Sequence, residues 1–162
     1  MSLARASALQ RPAVMVFDLD PGEGATLLHC SRVALAIRDR FAAAKLKCFA
    51  KTSGSKGLQV YVPLNRPGID FDRTKEVARQ LAENLAAERP KEITANMRKD
   101  LRRGKVFIDW SQNDGHKTTV CVYSLRATLQ PGVSTPLQWQ EVEMVLKKKQ
   151  PEALHFNPDD VP

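Results

Sequence analysis

Residues 13–24 read AVMVFDLDPGEG, an apolar run from Ala13 to Leu19 that meets two carboxylates and then a Pro-Gly pair. An apolar run this short, closed by a turn signal, predicts a buried strand opening into a turn. Asp18 and Asp20 flank Leu19, so on a strand both carboxylates leave the same face, about 7 Å apart along the chain. Two like charges so placed repel each other, and a hard divalent cation with oxygen ligands relieves the conflict. A D-x-D ahead of Pro21-Gly22 also describes an ordinary pair of turn-capping aspartates, and the motif alone does not separate the two.

Outward from this strand, apolar and charged residues alternate at helical spacing from Thr26 to about Ala44, which predicts a helix packed on the sheet. Cys48–Thr52 and Leu58–Leu64 predict two strands joined in a hairpin by Ser53-Gly54-Ser55-Lys56-Gly57, whose glycines permit a tight reversal. The hydroxyls, backbone N–H groups and lysine of this loop suit a triphosphate. Taken alone, a plain hairpin turn with a solvated lysine is the commoner explanation, and the spacing is not that of a Walker loop. A second helix is expected from about Asp72 to Glu88, closed by Pro90.

Arg98, Lys99, Arg102, Arg103 and Lys105 crowd just ahead of an apolar strand, Val106 to Trp110, which carries Asp109 at its end. If that strand lies beside the first, Asp109 joins Asp18 and Asp20 in a two-metal platform of the kind that drives phosphoryl transfer; otherwise it is a surface aspartate closing a strand. Thr118–Tyr123 reads as a strand by its alternation, Ser124 onward as irregular until Pro136, and Leu137–Lys149 as a short amphipathic helix. The chain thus divides into an amino-terminal segment 1–12, a core 13–150 and a carboxy-terminal tail 151–162.

The 162 residues suit one domain, with 43% hydrophobic and 27% charged residues, and no apolar run approaches bilayer-spanning length. A membrane role is not expected. The formal charge of +7 favours polyanionic partners. Cys30, Cys48 and Cys121 have neither disulfide-framework nor zinc-knuckle spacing, so a reducing cytoplasm is the expected location, and His29, His116 and His155 lack a second ligand nearby in sequence, so metal binding by them is not expected.

The joint order of FDLDPGEGA, KTSGSKGLQVYVPL, VFIDW, VYSLRA and GVSTPLQW, spanning Val14 to Val142, resembles the polymerase domain of bacterial ligase D, within the archaeo-eukaryotic primase superfamily. The resemblance implies an α/β (α+β) primase-polymerase palm, a mainly antiparallel RRM-like sheet with helices packed on one face. It implies Asp18, Asp20 and Asp109 as catalytic ligands of two Mn²⁺ or Mg²⁺ ions, and Ser53, Ser55, Lys56, Gln59, Gln112 and Arg126 as nucleotide contacts. It further implies DNA and nucleoside triphosphates as partners, a preference for ribonucleotides, and work beside Ku and a DNA ligase at broken ends. Two departures stand out. The family's GLH is Gly57-Leu58-Gln59 here, exchanging a chargeable ring for a neutral amide, and family members carry a longer stretch ahead of the D-x-D strand. A shortened chain is expected to uncover apolar surface and so to invite a dimer.

The expected activity is therefore metal-dependent nucleotidyl transfer to primer ends in non-homologous end joining. A catalytically weakened module that binds DNA ends or nucleotides on the same fold is the first alternative. A phosphatase of the haloacid dehalogenase type, whose nucleophile strand also ends in D-x-D, is the second, although Pro21-Gly22-Glu23 departs from that motif's usual continuation.

Overall fold

The computed structural model describes residues 1–5, 7–64, 67–127 and 131–161. Its first strand, β1 (Val14–Pro21), is the apolar run with both aspartates. Helix α1 (Leu27–Ala43) follows, and the backbone N–H of Thr26 at its start donates to Nδ1 of His29 at 3.0 Å, so His29 serves as a helix cap. Strands β2 (Phe49–Thr52) and β3 (Leu58–Pro63) form the expected hairpin. Helix α2 (Phe71–Glu88) starts at Asp70, whose carboxylate accepts from the Arg73 N–H at 2.8 Å. Two short strands, β4 (Ile93–Thr94) and β5 (Val106–Asp109), flank the basic segment.

The main sheet runs β4-β5-β1-β3-β2-β8, where β8 is Pro136–Leu137, and every pairing is antiparallel except β4 with β5. Register explains the layering. Phe17, Val60, Ala50 and Leu137 pair across four strands and face the helices, as do Ile108, Leu19 and Leu58 one row along. Against this face pack Val33, Ile37 and Phe41 of α1 and Ala78, Ala82 and Leu85 of α2, with the Phe17 and Phe41 rings 5.8 Å apart. Each of the larger side chains among these, Val, Ile, Leu or Phe, contributes about 1.5–3 kcal/mol on leaving water. Helix α3 (Trp139–Lys148) lies against α1 and closes the layer with Val142 and Val145. The α/β palm with helices on one face is thus the observed architecture.

Thr118–Tyr123 is not a strand. Thr118 makes one bridge to Ser2, and Tyr123 turns the chain with φ of 61°. The segment joins no strand of the main sheet and instead contributes Thr118, Thr119 and Val120 to the rim of a cleft over the uncovered face. The stretch after Ser124 holds a small ribbon of β6 (Leu125–Arg126) and β7 (Gly132–Val133); residues 128–130 of that stretch lie outside the described residues. Leu137, expected at the start of a helix, belongs to edge strand β8, and the helix begins at Trp139. Near the two termini, Leu3 and Leu154 are buried.

Candidate active site

The face of the sheet opposite the helices carries a polar row that crosses five strands. Asp109 on β5 pairs with Asp18 on β1, Asp18 with Gln59 on β3, Gln59 with Lys51 on β2, and Lys51 with Pro136 on β8. Directly paired residues put their side chains on the same face, so two carboxylates, an amide and an ammonium stand side by side. Asp20 lies two residues beyond Asp18 and shares that face.

The acidic end of the row is electrostatically uncomfortable. Burial, then the neighbouring Asp20 and Asp109 charges, push the Asp18 carboxyl up to about 7, against the opposing pull of Gln59 and Lys51. Asp20 is raised as well, first by burial and then by Asp109, with Arg102 acting the other way. Oδ1 of Asp18 is buried and has no hydrogen-bond partner. A buried carboxylate oxygen left unpaired beside two more carboxylates fits a hard divalent cation, which is what such a donor set accepts.

Asp109 has a second employment. Its Oδ1 accepts from the backbone N–H and the hydroxyl of Ser111 at 2.9 and 2.6 Å, and its Oδ2 from the Gln112 amide at 3.3 Å, so it caps the 3₁₀ turn Trp110–Gln112. Among the described residues no three His, Cys, Asp or Glu side chains enclose an ion-sized space by themselves. The Asp109 carboxylate is instead bonded to its own turn, through Ser111 and Gln112. A carboxylate has roughly four lone-pair sites and this cap takes three, which leaves Asp109 the capacity for one further bond.

From Asp18 and Asp20 a cleft of about 460 Å³ opens toward the hairpin loop, and its walls include Ser53, Ser55, Lys56, Gln59, Gln112 and Arg126. Every sequence-predicted site residue except Asp109 therefore lines one cavity. Ser53 turns part of the loop on itself: its hydroxyl accepts from the N–H groups of Ser55 and Gly57 at 3.3 and 3.1 Å, so those two amides are already engaged. Gly57 has to be a glycine, because a Cβ there would lie 2.1 Å from the Leu19 carbonyl oxygen. Gly54, with φ of 72°, lets the Arg126 side chain lie against the loop, where a Cβ would come within 2.8 Å of its Cγ.

Several contributors were not singled out from sequence. Lys51 is 3% exposed, and its ammonium donates to the Ser134 hydroxyl at 2.5 Å and to the Thr52 carbonyl at 3.4 Å. Burial lowers its pKa to about 8, although Asp18 pulls the other way. Arg102, seen only as part of a charge cluster, stacks over the Phe107 ring at 3.6 Å and lines the cleft on the Asp20 side. Asn113 is fully buried and uses its side-chain amide as a strand would: Val16 N–H donates to its Oδ1 at 2.8 Å and its Nδ2 donates to the Val16 carbonyl at 2.7 Å. A strand-like K-T at the hairpin entry was the one available signal for Lys51; for Asn113 there was none.

An antiparallel palm with helices behind it and carboxylates facing a basic, hydroxyl-lined cleft defines the class as a primase-polymerase fold. The family model described as LigD, primase-polymerase domain matches residues 1–158, and the chain belongs to that family. It is 46% identical over 129 residues to the multifunctional non-homologous end joining DNA repair protein LigD of Mycobacterium tuberculosis, covering 80% of this chain and 17% of that protein. The corresponding protein of Mycolicibacterium smegmatis is 44% identical over 153 residues, covering 94% of this chain and 19% of the relative. Among solved structures, the polymerase domain of M. tuberculosis ligase D in complex with DNA matches with a TM-score of 0.82 and 41% identity, over 92% of this chain and 50% of that one. The chain thus spans less than a fifth of these curated relatives and half of the solved domain. No described helix is long and apolar enough to cross a membrane.

Proposed function

We propose that this chain is the catalytic palm of a polymerase that adds nucleotides to primer ends during DNA end joining. The observation that carries the reading is the register of Asp18 with Asp109, with Asp20 two residues on, at the mouth of the cleft that holds Ser55, Lys56 and Arg126. Asp18, Asp20 and Asp109 would hold Mn²⁺ or Mg²⁺. Bound there, two such ions supply activation of the primer hydroxyl and charge stabilisation at the reacting phosphate.

The protein's own groups do the rest. Lys56 and Arg126 offer positive charge to the triphosphate, with the Ser55 hydroxyl beside them, and Gln59 offers a neutral amide donor from the cleft floor. Gln112 lines the same cleft with its Nε2 toward Asp109 and so links the carboxylate to the nucleotide side. Arg98, Lys99 and Arg103 are exposed on the segment ahead of β5, and with the overall charge of +7 they favour a phosphate backbone. DNA as partner is supported by the solved relative, which is a complex with DNA. A place in end joining is supported by the relatives' roles as non-homologous end joining proteins, and work beside a ligase and Ku in the bacterial cytoplasm is part of the same proposal.

The test is extension of a recessed primer-template by labelled ribo- and deoxyribonucleotides with Mn²⁺, with Mg²⁺ and with chelator. Metal-dependent extension that Asp18→Ala removes is the expected result. Gln59, in place of the family's histidine, favours a second reading, a module that binds nucleotide or DNA without turnover. Retention of both ligands with no extension under any metal would select it.

A further inference from the structure

Gln59 is 3% exposed, yet it lines the cleft, so which end of its amide faces the ligand decides what it can do there. Two hydroxyls gather at its oxygen. The Tyr61 hydroxyl donates to Oε1 at 2.8 Å, the Thr119 hydroxyl donates to the same oxygen at 3.2 Å, and the two hydroxyl oxygens are 3.0 Å apart. On the opposite side, across β1, stands Asp18. An Asp18 carboxylate that holds a cation is ionised and only accepts, so turning the amide over would then set its carbonyl oxygen against Asp18, while the present orientation presents the NH₂ group.

We infer that Tyr61 and Thr119 are positioning residues that lock the Gln59 amide with its two N–H bonds toward Asp18 and the cleft, making position 59 a fixed neutral donor for a nucleotide phosphate oxygen. The ligand class rests on the polymerase reading above; the lock itself does not. Thr119 comes from the segment that fails to form a strand and instead reaches across the sheet's open face, and Tyr61 stands two residues along β3 from Gln59, on the same face. A histidine at this position would bring an ionisable donor; a locked amide donates at any pH.

The experiment follows the Gln59 side-chain NH₂ pair in ¹⁵N–¹H spectra, assigned with Gln59→Glu, and measures nucleoside triphosphate binding with Mn²⁺ in Tyr61→Phe, Thr119→Val, the double variant and Thr119→Ser. The double variant is expected to shift or broaden the NH₂ pair and to weaken nucleotide binding about 3- to 10-fold, the scale of one or two lost neutral hydrogen bonds. In extension assays that loss falls on KM, with kcat held. Thr119→Ser keeps the hydroxyl and should retain both the NH₂ signal and the affinity. An unchanged NH₂ pair in the double variant overturns the lock, as does a Thr119→Ser chain that behaves like Thr119→Val. Absence of nucleotide binding in the unaltered chain sinks the polymerase reading instead, and the spectra still decide the lock.

Discussion

Asp18 and Asp109, ninety-one positions apart in sequence, are direct partners across two antiparallel strands. Their proximity is set by main-chain pairing, so it persists whether or not a cation is bound. The buried Asp18 carboxylate therefore weakens the folded state until something positive shares the space.

That conflict has a pH signature. Asp18 is raised from 3.8 to about 7 in the folded chain, so the folded state binds this proton more tightly than the unfolded state does. The stability it contributes is fully present below the ordinary carboxylate range and is lost as pH rises through about 7. Thermal melts in chelator should accordingly show Asp18→Asn gaining on the unaltered protein at pH 8 and losing that advantage near pH 4. Each kcal/mol gained raises the melting temperature by about 2–4 °C. Mn²⁺ should stabilise the unaltered protein and do little for Asp18→Asn.

Asp109 separates charge from capping. Asp109→Asn keeps an oxygen that can accept from the Ser111 N–H, whereas Asp109→Ala removes the cap altogether. Both should abolish primer extension, and only the alanine variant should lose about 1 kcal/mol in urea unfolding. Full extension by either one would remove Asp109 from the catalytic set.

Gly57→Ala should be costly for a reason of space. The added methyl would meet the Leu19 carbonyl oxygen on β1, so hairpin and strand must part. A loss of about 1–3 kcal/mol is expected in urea unfolding. Nucleotide binding should weaken with it, because Ser55 and Lys56 ride on the same loop.

Lys51→Met tests the basic end of the row. The ammonium joins β2 to Ser134, so its removal should cost about 1–3 kcal/mol by chemical unfolding. The folded-state pKa of Lys51 is lowered to about 8 from 10.5, so the unaltered protein should gain stability from this group as pH rises between those values. The methionine variant should lack that gain.

What was readable from sequence follows the range of the interactions. β1, the hairpin and the first two helices announce themselves through local patterns: an apolar run stopped by Pro-Gly, a glycine-flanked loop, and helical spacing that in the second helix is closed by Pro90. The pairing of Asp109 with Asp18 could be stated from the residues only as a condition, because nothing local ties β5 to β1. Lys51 reads as a surface lysine until Ser134, eighty-three positions on, closes over it. Thr119 was misread for the complementary reason: its alternation is real, but its segment runs over the open face of the sheet and joins no strand there. The cap that occupies Asp109 depends on the turn made by Ser111 and Gln112, and an aspartate at the end of a strand does not by itself announce that turn.

Asn113 takes the seat beside Val16 that a longer β5 would have filled. A single side chain thus ends the ladder cleanly, and the polypeptide beyond it is released from any obligation to stay in register. Changes in the length or composition of the following loop can then reshape the rim of the cleft while the acidic floor beneath it stays where it is.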